Sequence, residues 1–270
     1  MKCAIIGLIR GYDFWFQYKT LIKRNALIHK HFNHKYNYPV ILFHEGNIKL
    51  KHQKKLQALS PNISFIEITD FHDLPYVRHT FLTRIFRILL KKCFNISFPD
   101  SLNGYKNMCT FYTYKLFNYL KDYDYYWRLD DDSFLMEPIT YNPFEHLKQH
   151  NAVYGYLKTQ DDAHQLTKTK LLPFLNNYIQ NNNLTINPEL ISCTNYYNNF
   201  HLSKVSFWQQ PEIQHFFKAL IKENGIALYR WGDSTIQANI LRMFANQKAI
   251  IKLPDIHYFH ASHHVEVKTN

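Results

Sequence analysis

Two short, unbroken apolar runs constrain this chain more than any other feature. "CAIIGLI" (3–9) and "PVILFH" (39–44) contain no polar–apolar alternation. A strand with one wet face alternates, whereas a strand covered on both faces reads as a continuous hydrophobic run. Between the two lies a stretch with Tyr18, Leu21, Ile22 and Ile28 at helical spacing, and Asp13 stands where a helix N-cap belongs. Strand, helix and strand within about 45 residues form a right-handed crossover, so the sheet is expected to begin parallel. "SFIEI" (64–68) predicts a third strand, and "YYWRL" (125–129) and "AVYGYL" (152–157) predict later ones.

The clearest helix is "PEIQHFFKALIKEN" (211–224). Pro211 opens it, Ile213, Phe216, Phe217, Leu220 and Ile221 form its apolar stripe, and Gly225 is the expected C-cap. A helix from Ser234 is expected to bury Ile236, Ile240, Leu241 and Phe244. No repeat, Gly/Ser linker or low-complexity block interrupts the chain, so residues 1–270 are expected to form one α/β domain. In 78–94, "RHTFLTRIFRILLKKCF", Arg84, Arg87 and Lys91 recur at helical spacing beside apolar residues. A packed helix with a basic outer face fits this pattern, and so does peripheral contact with a membrane.

Lys and Arg number 32 against 21 Asp and Glu, a formal charge of +11. That excess fits an anionic partner or simply a basic, solvated surface. Cys3, Cys93, Cys109 and Cys193 form no C-x-x-C pair, which argues against a zinc site and a disulfide framework. The apolar run after Lys2 is far too short for a transmembrane segment, and nothing reads as a signal peptide, so cytoplasm is the default expectation. Sequons begin at Asn62, Asn95 and Asn183, and chance accounts for them in an Asn-rich chain.

The chemistry concentrates where "YYWRL" runs into Asp130-Asp131-Asp132. Three adjacent carboxylates repel one another unless positive charge sits among them. In open α/β sheets, ligands gather at the carboxyl ends of strands. A carboxylate cluster there suits Mg²⁺ or Mn²⁺, hard cations that prefer oxygen ligands and leave room for substrate phosphates. A solvated acidic turn or helix cap remains the alternative on the triplet alone.

"FNHKYNYP" (32–39), "YKNMC" (105–109), "YDYYWRLDDD" (123–132), "VYGY" (153–156), "RWGD" (230–233) and "YFH" (258–260) occur in the order of landmark segments of one family. From about Ile5 to about His260 the chain resembles the fungal-type α-1,2-mannosyltransferases, glycosyltransferase family 15. The resemblance implies an A-type glycosyltransferase fold, a Rossmann-like mixed sheet flanked by helices. It also implies Mn²⁺ (or Mg²⁺) as cofactor, GDP-mannose as the sugar nucleotide donor, a glycan or glycoprotein acceptor, and retaining transfer in α-1,2 linkage. Nucleic acid is not an expected partner. The family's Glu-Pro-Asp is Asp130-Asp131-Asp132 here, which keeps the outer carboxylates. By this resemblance Asp130, Asp132 and His260 are the expected metal ligands, with Asp130 also available to the ribose. Asp162 stands where the family has a glutamate, with Asp161 the adjacent competitor, Arg10 closes the first strand toward the nucleotide phosphates, and Tyr105 matches an active-site tyrosine. Asp233 of the unchanged "RWGD" is expected to orient or deprotonate the acceptor hydroxyl, with helix capping as its alternative role.

One departure bears on mechanism. The family's "HFWSNFE" ends in a glutamate proposed as nucleophile; the matching "NYYNNFH" ends in His201. Double displacement needs a carboxylate there. With imidazole in its place, three outcomes stay open: front-side displacement, another carboxylate such as Asp162 in that role, or a degraded transferase. His201 and Tyr105 are expected to line the sugar pocket. The competing functional readings are a catalytically impaired glycan- or nucleic-acid-binding protein and a metal-dependent phosphoesterase.

Overall fold

The computed structural model describes residues 1–60, 62–71, 101–162 and 164–270. The basic segment 78–94, Cys93 and the sequon at Asn95 lie outside the described residues. Twelve described strands form three sheets: β1 (Cys3–Leu8), β2 (Val40–His44), β3 (Ile63–Glu67), β4 (Tyr125–Leu129), β5 (Ser133–Leu135), β6 (Tyr154–Tyr156), β7 (Thr159–Asp161), β8 (Thr194–Tyr196), β9 (Phe200–Lys204), β10 (Ile250–Lys252), β11 (His257–His260) and β12 (Val265–Lys268).

The main sheet has the order β10-β6-β9-β4-β1-β2-β3. β3, β2, β1 and β4 run parallel, as the unbroken apolar runs predict. β9 lies antiparallel between β4 and β6, so the sheet is mixed. Strand parity divides the core. Ala4, Ile6 and Tyr126 pack on one face with Phe117, Trp208 and Phe217, while Ile5, Trp127 and Leu129 pack on the other with Phe32 and Phe144.

Two local expectations are corrected. Asp13 does not cap the helix that follows. Its carboxylate instead meets Lys49 at 2.9 Å, and a short 3₁₀ turn, Trp15–Tyr18, leads into the helix Lys19–Ile28. Asn224, at φ 56°, is the left-handed C-cap of the helix Pro211–Glu223. Gly225 opens the next short helix, and it is glycine because a Cβ there would stand 2.1 Å from the Trp231 ring.

Candidate active site

β4 ends at Leu129, and the chain turns through Asp130–Asp132, closed by the Ser133 N–H donating to the Asp130 carbonyl at 3.1 Å. β5 then pairs antiparallel with β11 in a register that sets Ser133 opposite His260. This pairing carries a C-terminal histidine back to the acidic turn. His260 Nε2 lies 2.8 Å from Asp132 Oδ1, and the Ser262 N–H donates to Asp132 Oδ2 at 2.8 Å. Burial disfavours the Asp132 charge, yet the bonds from His260 and Ser262 outweigh it and hold the carboxyl at about 2. On the far side of the imidazole, Tyr197 Oη sits 2.6 Å from Nδ1, a contact that fixes the ring's orientation.

A buried cation, Arg128, 1% exposed, stands on the same face of β4 as Tyr126. Its Nε donates to Asp130 Oδ1 at 2.9 Å and its Nη2 to Oδ2 at 3.3 Å. Nη1 donates to Asp233 Oδ2 at 2.7 Å, and the guanidinium centre lies 3.4 Å from the Tyr112 ring centroid. Asn199 donates to Asp130 and Asn198 to Asp233. Burial works against the Arg128 cation, but Asp130, Tyr112 and Asp233 more than offset it and raise its pKa well above the usual value. A second guanidinium, Arg24, is fully buried beneath the turn, donating to the carbonyls of Leu129 at 2.8 Å and Ile6 at 3.3 Å. It passes over Gly7, where a Cβ would stand 3.1 Å from Arg24 Nη2 and 2.8 Å from the Leu129 carbonyl oxygen. Burial, then the charges of Asp132 and Asp130, push Asp131 up to about 6.

Arg128, the three aspartates of the turn, Asp233 and His260 line a cavity of about 850 Å³ at the carboxyl ends of β1 and β4, while Arg24 and Tyr197 stand behind it. That volume falls in the range of small-ligand sites. Asp130, Asp131, Asp132, Asp161, Asp162 and Asp233 line it, against Arg128 and Arg230. The cavity is therefore acidic within a basic chain.

Of the residues expected at the site, Tyr105, Asp130, Asp132, Asp162, Asp233 and His260 all reach this cavity. Tyr105, on the helix Ser101–Thr110, lies with the Arg230 guanidinium 4.4 Å from its ring, and burial raises its phenol pKa, keeping it a donor. Asp162 accepts from the His164 N–H at 2.9 Å and from the hydroxyls of Thr167 and Thr235 at 2.8 and 3.1 Å. Asp233, 4% exposed, is the first residue of the helix Asp233–Phe244 and makes no capping bond to it. Its carboxylate faces Arg128 instead.

Two residues stand elsewhere. Arg10 is exposed beyond β1 and is not among the residues lining the cavity. His201 does not line it either. Position 201 pairs with Arg128 across β9 and β4, and the ring is buried between Tyr154, with centroids 4.9 Å apart, and Tyr126, at 5.4 Å. Its nitrogens meet the Asn198 carbonyl at 2.9 Å and Tyr126 Oη at 3.1 Å. Burial, aided by the Arg128 charge, drives the imidazole down to about 3, so it is neutral at physiological pH. Sequence reasoning missed Arg128 and Arg24. The available signal for Arg128 was an arginine inside an otherwise apolar and aromatic strand, two residues before a carboxylate.

Whether the site suits a divalent ion is testable on its donors. Asp132 Oδ1 and His260 Nε2 lie 2.8 Å apart and bond each other, so an ion held by both would replace that bond. Among the described residues, no three His, Cys, Asp or Glu side chains are gathered as a metal shell. Two protein ligands fit an ion whose remaining positions are filled by substrate phosphate and water, the usual arrangement for Mg²⁺-like ions. The excess of aspartates supplies the physical need, because a diphosphate entering this cavity without a cation would meet net negative charge.

A family model described as "Glycolipid 2-alpha-mannosyltransferase" matches residues 2–268. The chain is 22% identical to the O-glycoside alpha-1,2-mannosyltransferase omh1 of Schizosaccharomyces pombe, over 96% of this chain and 69% of that protein. It is 22% identical to the glycolipid 2-alpha-mannosyltransferase of Saccharomyces cerevisiae, over 96% of this chain and 60% of that one. Among solved structures, the Mn/GDP form of core-mannan synthase A from Aspergillus fumigatus superimposes with a TM-score of 0.80 at 21% identity, covering 97% of this chain and 75% of the other. A mannosyltransferase of S. cerevisiae in complex with GDP gives 0.80 at 18%, covering 96% and 71%. The architecture is thus the A-type glycosyltransferase fold, a mixed sheet flanked by helices.

Proposed function

Because the chain belongs to the glycolipid 2-alpha-mannosyltransferase family, and so to the glycosyltransferases, we propose that it transfers mannose from GDP-mannose onto a glycan, glycolipid or glycoprotein acceptor, retaining configuration in α-1,2 linkage, as one catalytic domain spanning residues 1–270. The observation that carries this reading is the Asp132–His260 pair in the wall of a carboxylate-rich cavity at the carboxyl ends of the parallel strands.

Asp132 and His260 are the residues that would hold Mn²⁺ or Mg²⁺, with Tyr197 orienting the imidazole. Bound there, the ion supplies Lewis-acid neutralisation of the departing diphosphate. Arg128 holds the Asp130 and Asp233 carboxylates in fixed orientations as polar walls of the sugar subsite. Preorganised groups of this kind cost no rearrangement when charge develops. Tyr105 donates its phenol proton toward the bound sugar or phosphate. Asp233 accepts a hydrogen bond from the acceptor hydroxyl on the lone pairs Arg128 and Asn198 leave free. No carboxylate stands at position 201, and the imidazole is buried outside the cavity, which favours displacement on the departing face without a glycosyl-enzyme intermediate.

The decisive experiment is transfer from GDP-mannose to an α-mannoside, assayed with Mn²⁺ and after chelation, with product linkage read by NMR. Metal-dependent formation of an α-1,2 disaccharide that Asp132→Ala abolishes is the expected result. Activity indifferent to both chelator and Asp132→Ala would overturn the scheme. Metal-dependent GDP binding without turnover would support the catalytically impaired alternative.

A further inference from the structure

Outside the cavity, the strongest unassigned feature is the turn 13–18. Phe14 and Phe16 are 63% and 69% exposed and stack with ring centroids 5.7 Å apart. Leu50, 64% exposed, follows Lys49, whose ammonium reaches Asp13 at the start of that turn. Lys49, beside it, donates to the Asp13 carboxylate at 2.9 Å and carbonyl at 3.2 Å, which ties the start of the helix Leu50–Leu59 to the aromatic turn. Trp15 turns inward, its ring 5.8 Å from those of Tyr18 and His52. The segment is thus anchored from below while two phenylalanines and a leucine face outward.

The fringe of this apolar surface is basic. Lys19, Lys51, Lys54 and Lys55 are exposed, and Lys55 Nζ lies 5.3 Å from the Trp15 ring centroid. Across 13–19 and 49–55 the only acidic residue is Asp13, already paired with Lys49. Exposed aromatic and aliphatic side chains inside a lysine fringe match the chemistry of an anionic lipid surface. The rings enter the headgroup–acyl boundary while the ammonium groups meet anionic headgroups. A sugar-binding platform would instead set hydrogen-bonding groups of both kinds beside the rings.

We infer that Phe14, Phe16 and Leu50, with the surrounding lysines, seat this protein on an anionic membrane surface. The patch adjoins the cavity: Tyr12 and Thr20, which bracket it in sequence, both line that cavity, and the Tyr12 N–H donates to Tyr18 Oη at 2.9 Å. Docking here brings the cavity rim to headgroup level, where the sugars of a lipid-held acceptor lie. That last consequence rests on the transferase reading; the docking does not.

The test is co-sedimentation of the full chain with phosphatidylcholine vesicles containing about one-third phosphatidylserine, and with phosphatidylcholine alone. The wild type is expected to bind the anionic vesicles and to lose binding as salt rises. Phe14→Ser/Phe16→Ser and, separately, Lys51→Glu/Lys54→Glu are each expected to weaken partitioning on the order of tenfold or more. Both variants should keep wild-type melting temperature and GDP binding, which separates lost docking from lost folding or lost donor binding. Absence of wild-type binding, or equal partitioning of wild type and both variants, overturns the inference. So does a Phe-pair variant that loses affinity for soluble manno-oligosaccharide while keeping vesicle binding.

Discussion

Replacing Arg128 with methionine removes a guanidinium that pairs with both Asp130 and Asp233. Methionine fills much of the same volume, so the change is chiefly electrostatic. Asp233 is 4% exposed and, among the described residues, would keep only hydrogen bonds from Asn198 and Cys109. Removing one partner of a buried ion pair costs about 3–5 kcal/mol. For a chain of this size each kcal/mol lowers the melting temperature by about 2–4 °C, so a fall of about 6–20 °C is expected. Urea and thermal melts of the variant against the wild type measure that loss. Adding Asp130→Asn and Asp233→Asn to Arg128→Met should recover most of it, because the stranded charges are gone. A loss below about 1 kcal/mol, or a triple variant no more stable than the single one, would refute the reasoning.

Other outcomes follow from the same geometry. His260→Ala and Asp132→Ala should each remove the Mn²⁺-dependent rise in melting temperature with GDP and lower transfer by about a hundredfold or more; either variant keeping both would refute the metal assignment. Buried His201, held neutral down to about pH 3, takes up no proton between pH 7 and pH 4 while the unfolded chain does, so it makes stability fall with acidification, by at most about 1.4 kcal/mol per pH unit. His201→Asn should flatten that slope between pH 7 and pH 5, as melts at both pH values would reveal. Gly225→Ala should cost about 1–3 kcal/mol through collision with Trp231, whereas Gly104→Ala inside the helix Ser101–Thr110, where a Cβ would meet nothing within 4 Å among the described residues, should be neutral or stabilising by about 0.5–1 kcal/mol. Denaturant melts of the two variants, compared side by side, check this.

The parallel half of the sheet was legible because hydrophobic burial is written locally. Residues 3–9 and 39–44 are apolar on both faces, and only a doubly covered strand needs that. β9 was not legible, since His201 and Ser203 interrupt its pattern, and both are buried by partners that the sequence does not place nearby. The helix Asp233–Phe244 could be read from its apolar spacing, but the direction of the Asp233 side chain could not, because Arg128 is 105 residues away. Asp13 met the same limit when Lys49, 36 residues on, took the carboxylate expected to cap a helix. By itself the sequence determined that Asp130–Asp132 leave the end of a buried strand and require positive charge around them. Only the tertiary structure decided that Arg128 serves Asp130, that His260 serves Asp132, and that Arg24 lies beneath the turn. Burial patterns repeat over a few neighbouring residues, whereas a charge is satisfied by whichever partner the completed fold carries within about 3–4 Å.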